Sequence, residues 1–183
     1  MLNMAIKERI AILVDGSNFY HYTKGLNLTH LLEFDYKKFA DFLARDRKII
    51  SATYYIGKMR EKEGDLKSRK LMADQQRLVS RLQQFGWQVS YGHMLIDGGG
   101  QREKGVDVQI AVDLVVGAYE NQYDSALLVS SDTDLIPAIK KVKNKGKKME
   151  YIGFSNRPSY GLIKNSSLTK TLSKEDLEQF LPR

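Results

Sequence analysis

The stretch Leu127-Leu128-Val129-Ser130-Ser131-Asp132-Thr133-Asp134-Leu135 indicates both the fold and the place of its functional site. Its apolar first half is typical of a strand that is buried on both faces of a parallel sheet. Two carboxylates follow, and a helical pattern with Pro137 in its first turn comes directly after them. This order predicts an open α/β sheet, whose sites lie at the carboxyl ends of its strands. The alternative is structural, with Asp134 as a helix cap and Asp132 in a turn.

The composition excludes several kinds of site. The chain of 183 residues has 42% hydrophobic and 28% charged residues, which is typical of one globular domain with an ample core. It has no cysteine, so disulfides, zinc–thiolate sites and thiol nucleophiles are excluded. Its three histidines are widely spaced, which argues against a histidine-rich metal site.

The charge of the chain favours a polyanionic partner. The formal net charge is +7 and the isoelectric point is about 9.4, as in many proteins that bind nucleic acid. Many other basic proteins bind nothing acidic, so the position of the positive charge relative to the carboxylates matters. No apolar run is long enough to span a membrane, and residues 1–9 lack the apolar core of a signal peptide. We therefore expect a cytoplasmic protein without a membrane partner.

The first predicted strand repeats the pattern of the opening stretch. Residues 9–14 are a buried apolar run that ends abruptly in Asp15-Gly16-Ser17-Asn18. If a helix begins here, Asn18 lies about one turn from Asp15 and could face the same side. A tight turn would favour the same four residues, so both interpretations stay open.

The rest of the chain predicts a parallel sheet of about five strands in a single domain of residues 1–183, with a core at about 9–172. Helical patterns separate the strands, which is the arrangement expected of βαβ units. The further predicted strands are residues 48–56, 87–95, 127–129 and 147–154, with 169–172 as an edge strand.

Two polar segments are candidates for contacts with nucleic acid. Residues 58–70 are rich in lysine and arginine, which ordinarily marks a solvated helix face but could also contact phosphates. Residues 97–105 have the glycine spacing of a phosphate-binding loop, but Val106 and Asp107 stand where that motif needs lysine and serine or threonine. We expect a flexible, partly basic flap instead. The candidate nucleic-acid contacts are Lys58, Arg60, Arg102 and Lys104.

The apolar helix predicted at residues 106–122 distinguishes two aspartates. At 100° per residue, Asp107 falls within the apolar arc, whereas Asp113 lies in a small polar arc beside Gln109. A carboxylate on a buried face needs a partner, because burying it alone is costly. That partner could be Lys104, in a structural ion pair, or a metal ion shared with other carboxylates.

Parallel strands bring their carboxyl ends to one edge, so Asp15, Asp107, Asp132 and Asp134 should converge. Carboxylates packed closely repel one another unless a counter-ion is present. Oxygen ligands without histidine or cysteine favour Mg²⁺ or Mn²⁺. A cation held in this way can attract phosphate and activate water, so phosphodiester hydrolysis is the expected chemistry.

Three motifs, in the same order, resemble those of the NYN domain, in the LabA-like branch of the PIN-like nucleases. They are Ile12-Leu13-Val14-Asp15-Gly16-Ser17-Asn18, then Lys104-Gly105-Val106-Asp107-Val108 through Ala111-Val112-Asp113-Leu114, and Leu128-Val129-Ser130-Ser131-Asp132-Thr133-Asp134-Leu135. The resemblance spans roughly residues 9–172, and the motifs are specific jointly rather than singly.

The resemblance implies a three-layer α/β/α PIN-like (Rossmannoid) fold with an acidic Mg²⁺ or Mn²⁺ site that is associated with RNA cleavage. The positions that match the acidic site of the family are Asp15, Asn18, Asp107, Asp132 and Asp134. Ser131 and Leu135 replace a common glycine and a common aromatic residue. Residues 165–167 lack a carboxylate that many relatives carry, so we expect no metal ligand from the tail.

The leading hypothesis is a metal-dependent endoribonuclease that acts on single-stranded RNA. Asp15, Asp107 and Asp132 would be its primary ligands, Asp134 a further ligand, and Asn18 would position water or phosphate. The alternative is a nucleic-acid-binding regulatory module with little or no turnover. A small-nucleotide phosphatase is disfavoured, because no second aspartate follows Asp15 two residues on. The oligomeric state stays open between a monomer and a homodimer.

Overall fold

Short apolar runs form a parallel sheet, and amphipathic segments between them form helices. The computed structural model describes residues 7–28, 30–59, 63–97 and 100–182, and for residues 93–97 and 100–104 it describes the backbone alone. The strands are β1 (Arg9–Asp15), β2 (Lys48–Ile56), β3 (Gln88–Tyr91), β4 (His93–Asp97), β5 (Gly100–Lys104), β6 (Ser125–Val129), β7 (Lys148–Phe154) and β8 (Leu168–Leu172). The α-helices are α1 (Gly16–Gly25), α2 (Tyr36–Ala44), α3 (Leu66–Gln84), α4 (Val106–Tyr119), α5 (Ile136–Asn144), α6 (Tyr160–Asn165) and α7 (Lys174–Glu178).

The main sheet has its topological switch at its centre. Within the described residues, six strands form this sheet in the order β3-β2-β1-β6-β7-β8, and every neighbouring pair is parallel. β1 and β6 pair from Ile10 opposite Ser125 to Val14 opposite Val129. Because the strand order reverses between them, their carboxyl ends flank the crevice where such sheets bind ligands.

Helices cover both faces of the sheet, which confirms the predicted α/β class. Ile10, Ile12 and Val14 of β1 pack on one side with α1, α2, α3 and α7. Ala11 and Leu13, which alternate with them, pack on the other side with α4, α5 and α6. Among the described residues, no helix has the length and apolar character that crossing a bilayer requires.

Two predictions about the strands need correction. The main sheet has six strands rather than about five, because the polar segment β8 pairs fully with β7 as an edge strand. The single strand predicted at residues 87–95 is interrupted at Gly92, whose N–H donates to the Ile56 carbonyl at 3.1 Å. Beyond Gly92 the chain leaves the sheet, and β4 pairs with β5 as an antiparallel hairpin where a flap was predicted.

The sharp passage from β1 into α1 depends on Gly16. α1 begins directly after Asp15, with no intervening loop, and its first residue lies against β2. A Cβ atom on Gly16 would lie 2.7 Å from the Tyr55 carbonyl oxygen and 2.4 Å from the Tyr54 ring. Only glycine therefore lets the helix start close enough to the sheet to keep Asp15 at its edge.

Replacing Gly16 with alanine should lower the free energy of unfolding by about 1–3 kcal/mol, because the strand carbonyl it would strike cannot rotate away. The matched control is Gly25→Ala at the other end of α1. Its Cβ would approach only the side-chain amide of Asn156, at 2.9 Å, so the change should stay within about 0.5 kcal/mol. Urea unfolding measures both values. Equal stabilities of the two variants would contradict this account of the turn.

Candidate metal centre

The aspartates singled out in the sequence lie around the carboxyl edge of the sheet. Asp15 is the last residue of β1, and Asp132 follows the end of the neighbouring strand β6 by three residues. Asp107 approaches from the first turn of α4, and Asp134 lies in the 3-10 turn Thr133–Leu135 before α5. Two strand ends and two helix starts thus supply the four carboxylates.

Three of these carboxylates form what we term the acidic cluster: Asp107, Asp132 and Asp134. One oxygen from each lies within 4.8 Å of the others. Asp107 and Asp132 are half-buried, and Asp134 is exposed. Among the described residues, no other group of three or more acidic residues or histidines comes as close. These three side chains are therefore the ones best placed to share a cation.

Asp15 lies beside the acidic cluster but is not a member of it, although the sequence hypothesis made it a primary ligand. It is 4% exposed and accepts hydrogen bonds from the backbone N–H of Asn18 at 3.0 Å and from its Nδ2 at 2.5 Å. Burial raises the pKa of Asp15, the hydrogen bonds from Asn18 and Ser130 oppose this shift, and the Asp132 carboxylate adds to it. Asp15 is thus a buried carboxylate held by hydrogen bonds, and Asn18 faces it because a helix begins here, which was one of the two interpretations left open by the sequence.

Ser130 is a site residue that the sequence analysis did not select. Its buried hydroxyl donates to Asp15 Oδ2 at 3.2 Å and accepts from the backbone N–H of Asp132 at 3.1 Å. It therefore links the end of β1 to the loop that carries Asp132. A small polar residue directly after an apolar strand was the available signal, but turns use serine in the same way.

The structural alternative drawn from the sequence had Asp134 as a helix cap and Asp132 as a turn residue, and the structure shows different roles. Asp132, rather than Asp134, is the cap: its side chain accepts from the Asp134 backbone N–H at 2.9 Å and precedes the 3-10 turn. Asp134 lies inside that turn, where its own side chain is free of any capping role. Capping fixes one oxygen of Asp132, and a carboxylate has further lone pairs for other ligands.

The structure separates the two aspartates of α4. Asp107 is in the first turn, at the acidic cluster. Asp113 accepts instead from the hydroxyl of Tyr55 on β2 at 2.8 Å and from Gln109 Nε2 at 2.9 Å. Burial, together with the Asp113 carboxylate, raises the pKa of Tyr55. The polar arc of α4 thus fastens the helix to the sheet, and its solvent-facing arc contains valines.

Of the four candidate cationic contacts, the structure locates one side chain. Lys58 is exposed on the connection between β2 and α3. Arg60 lies outside the described residues, as do the side chains of Arg102 and Lys104, whose backbone belongs to the hairpin strand β5. Lys104 as a partner of Asp107 therefore stays a prediction.

A large groove opens beside these carboxylates. It has a volume of about 1310 Å³ and includes Asp15, Asp107 and Asp132 in its wall. From there it extends along α1 and α3, where its lining is largely apolar and aromatic. The sequence analysis did not predict it, because its walls come from segments far apart in the chain.

The donor set fits a hard divalent cation. Carboxylate oxygens are the ligands that Mg²⁺ and Mn²⁺ favour, and two ligands on opposite sides of a Mg²⁺ ion lie about 4 Å apart. The separations in the acidic cluster, up to 4.8 Å, are close to this value, and Asp134 is exposed enough to adjust. The residues present are therefore compatible with the cation that the motifs imply.

We expect Asp15→Asn to raise the melting temperature by a few degrees at pH 7 in the presence of a chelator. The raised pKa of Asp15 means that its contribution to stability is fully present below about pH 3.9 and is lost as the pH rises through the folded-state pKa. The difference between variant and wild type should therefore shrink on acidification toward pH 4. Thermal melts at both pH values test this. A lower melting temperature at both would assign Asp15 a purely structural role.

One solved structure has a similar architecture. No curated protein sequence matches the chain. A crystal structure of a protein of unknown function, VPA0982 from Vibrio parahaemolyticus RIMD 2210633, is similar, with a TM-score of 0.68, 24% identity, and coverage of 93% of this chain and 96% of that one. Zinc-bound T5 5'-exonuclease matches with a TM-score of 0.44 and 14% identity, over 78% of this chain and 55% of the exonuclease chain.

A comparison with models of protein families agrees with the resemblance found in the sequence motifs. The family model described as the NYN domain matches residues 9–170, which include β1 through most of β8 and every residue of the acidic cluster. The chain belongs to the NYN domain family.

Proposed function

We propose that this protein is a ribonuclease that hydrolyses phosphodiester bonds of RNA with Mg²⁺ or Mn²⁺. The observation that carries the proposal is the acidic cluster, whose carboxylate oxygens lie within 4.8 Å of one another at the topological switch of the sheet. Membership of the NYN domain family supports it. The motifs favour the LabA-like branch of that family.

The described side chains support a division of roles. Asp107, Asp132 and Asp134 would hold the cation, which neutralises charge on the phosphate and lowers the pKa of water when it is bound. Asp15 adds a buried negative charge beside Asp132 and orients Asn18 through two hydrogen bonds. Asn18 would in turn place water or a phosphate oxygen next to the cluster.

The substrate we propose is single-stranded RNA that is cut internally. The net charge of +7 favours a polyanion, and an open groove at the acidic cluster can admit a continuous strand. Lys58, together with Arg60, Arg102 and Lys104, would contact phosphates of the strand. Such contacts would set the affinity without selecting a base sequence.

Asp132→Asn should lower the rate of Mn²⁺-dependent cleavage of a single-stranded RNA by about a hundredfold or more. An amide is a poor ligand for a hard cation, and even changes to groups that only orient metal ligands cost about 10–100-fold. The control is Asp41→Asn, an exposed aspartate that pairs with Lys37 on α2. Gel analysis of products with Mn²⁺ and with a chelator gives the rates. Cleavage that survives both the chelator and Asp132→Asn would refute the proposal.

The two aspartates of α4 should respond differently to the same substitution. Asp107→Asn should weaken Mn²⁺ binding at least about tenfold, because it removes a carboxylate from the acidic cluster. Asp113→Asn should leave that affinity unchanged and lower stability by about 1 kcal/mol, because it weakens the hydrogen bonds to Tyr55 and Gln109. Calorimetric titration and urea unfolding measure the two effects. The reverse pattern would place the metal elsewhere on α4.

A further inference from the structure

The groove beside the acidic cluster has a surface that a site for phosphate alone would not need. Away from the carboxylates, its lining includes the side chains of Tyr20, His21, Leu31, Met59, Leu71 and Leu78. Tyr20, Met59 and Leu71 are exposed to solvent by 51%, 44% and 43%. Apolar side chains exposed together in a concave surface indicate a ligand with flat or apolar parts.

Tyr20 is the residue best placed to contact such a ligand. It lies on α1, five residues after Asp15, so its Cα is about 7.5 Å along the helix axis from the end of β1. Its ring packs edge-on against His21, with centroids 5.7 Å apart, and Lys24 Nζ lies 5.9 Å from its centroid. Tyr20 thus has an aromatic ring that is about half exposed to solvent and has a cation over it, and it lies about one and a half helical turns after Asp15.

We propose that Tyr20 is a stacking platform for an unpaired base of the RNA substrate, and that the apolar groove between α1 and α3 holds the neighbouring bases. This inference rests on the proposed function and specifies how that site selects its substrate. Every base has a π face, so stacking on Tyr20 accepts any unpaired nucleotide. In a duplex the bases are stacked on each other inside the helix and cannot reach the ring.

The charges around the groove indicate how the strand would be oriented in it. Lys24 can pair with the phosphate of the stacked nucleotide, whereas Glu33 and Asp74, which also line the groove, repel phosphates from its far side. The sugar–phosphate backbone would therefore run along α1 toward the acidic cluster, with the bases turned into the apolar part. A peptide would have no use for a phosphate-binding cation site at one end of the groove.

The size of the groove favours a strand over a free nucleotide. Its volume of about 1310 Å³ exceeds the range of about 300–1,000 Å³ that is typical of pockets for small molecules. A mononucleotide would leave much of the apolar lining in contact with water. Several consecutive nucleotides would cover the lining from Tyr20 to Leu78.

The test measures binding separately from cleavage. Fluorescence anisotropy with a chelator present gives the affinity of a short single-stranded RNA for each variant. Tyr20→Ala should weaken binding by about fivefold or more, the factor that corresponds to about 1 kcal/mol or more of base stacking, and Tyr20→Trp should restore it. An RNA carrying 2-aminopurine should lose fluorescence on binding wild type or Tyr20→Trp, but much less on binding Tyr20→Ala.

A modified RNA identifies stacking as the cause. An RNA with an abasic site at the stacked position should bind wild type as weakly as the intact RNA binds Tyr20→Ala. The affinity of Tyr20→Ala should be the same for the abasic RNA and the intact RNA. The matched control is Tyr119→Ala. Tyr119 is 54% exposed, also has a lysine over its ring, Lys145 at 4.9 Å, and does not line the groove. Its removal should leave RNA affinity unchanged.

The outcomes also distinguish this inference from the proposed function. RNA that binds through Tyr20 but is never cleaved would refute the nuclease and support the stacking site. Cleavage that is equally fast in wild type and Tyr20→Ala, with affinities within twofold, would refute the stacking site and leave the nuclease intact. Wild type that binds no single-stranded RNA, or prefers a duplex, would overturn the stacking site as well.

Discussion

The candidate site depends on one hydrogen-bonded link between the two central strands. The Ser130 hydroxyl accepts from the Asp132 backbone N–H and donates to the buried carboxylate of Asp15, so it connects the end of β1 to the loop that follows β6. Burying a carboxylate is costly, and the bonds from Ser130 and Asn18 offset part of that cost. The same bonds set the position of Asp132 relative to the sheet. We therefore expect a substitution at the end of β1 or β6 to alter the position of Asp132 in the acidic cluster.

Much of the site could be predicted from the sequence where local pattern and fold agree. Asp15 and Asp132 each follow a buried apolar run, and parallel strands bring their carboxyl ends to one edge whatever the rest of the chain does. Helical periodicity likewise separated Asp107 from Asp113, because both lie on one regular helix and their relative phase is a matter of geometry. The sequence did not predict which three carboxylates lie within 4.8 Å of one another, because the choice between Asp15 and Asp134 as the third member depends on loop conformation.

Features that depend on contacts across the fold were not visible in the sequence. Gly92 lies among strand-forming residues, so nothing local indicates that the chain leaves the sheet there and begins a hairpin. The arc of α4 that contains Asp113 is polar, but it faces the hydroxyl of Tyr55 rather than solvent, and this contact spans 58 residues. The groove near Tyr20 is likewise lined by α1, α3 and the segments around them. Sequence periodicity describes one helix or strand at a time, whereas these features depend on contacts between elements that are far apart in the sequence.

The two edges of the sheet differ in how their acidic residues are neutralised. At the amino edge, Arg9 donates to Asp124 and holds its pKa at about 2, and Lys148 pairs with Glu8 at 3.0 Å. At the carboxyl edge, no lysine or arginine forms an ion pair with the acidic cluster among the side chains that the structure describes. The chain has more lysine and arginine than aspartate and glutamate, so a shortage of basic residues does not explain the difference between the two edges. Carboxylates that converge without such partners among the described side chains repel one another, and a divalent cation would relieve that repulsion directly.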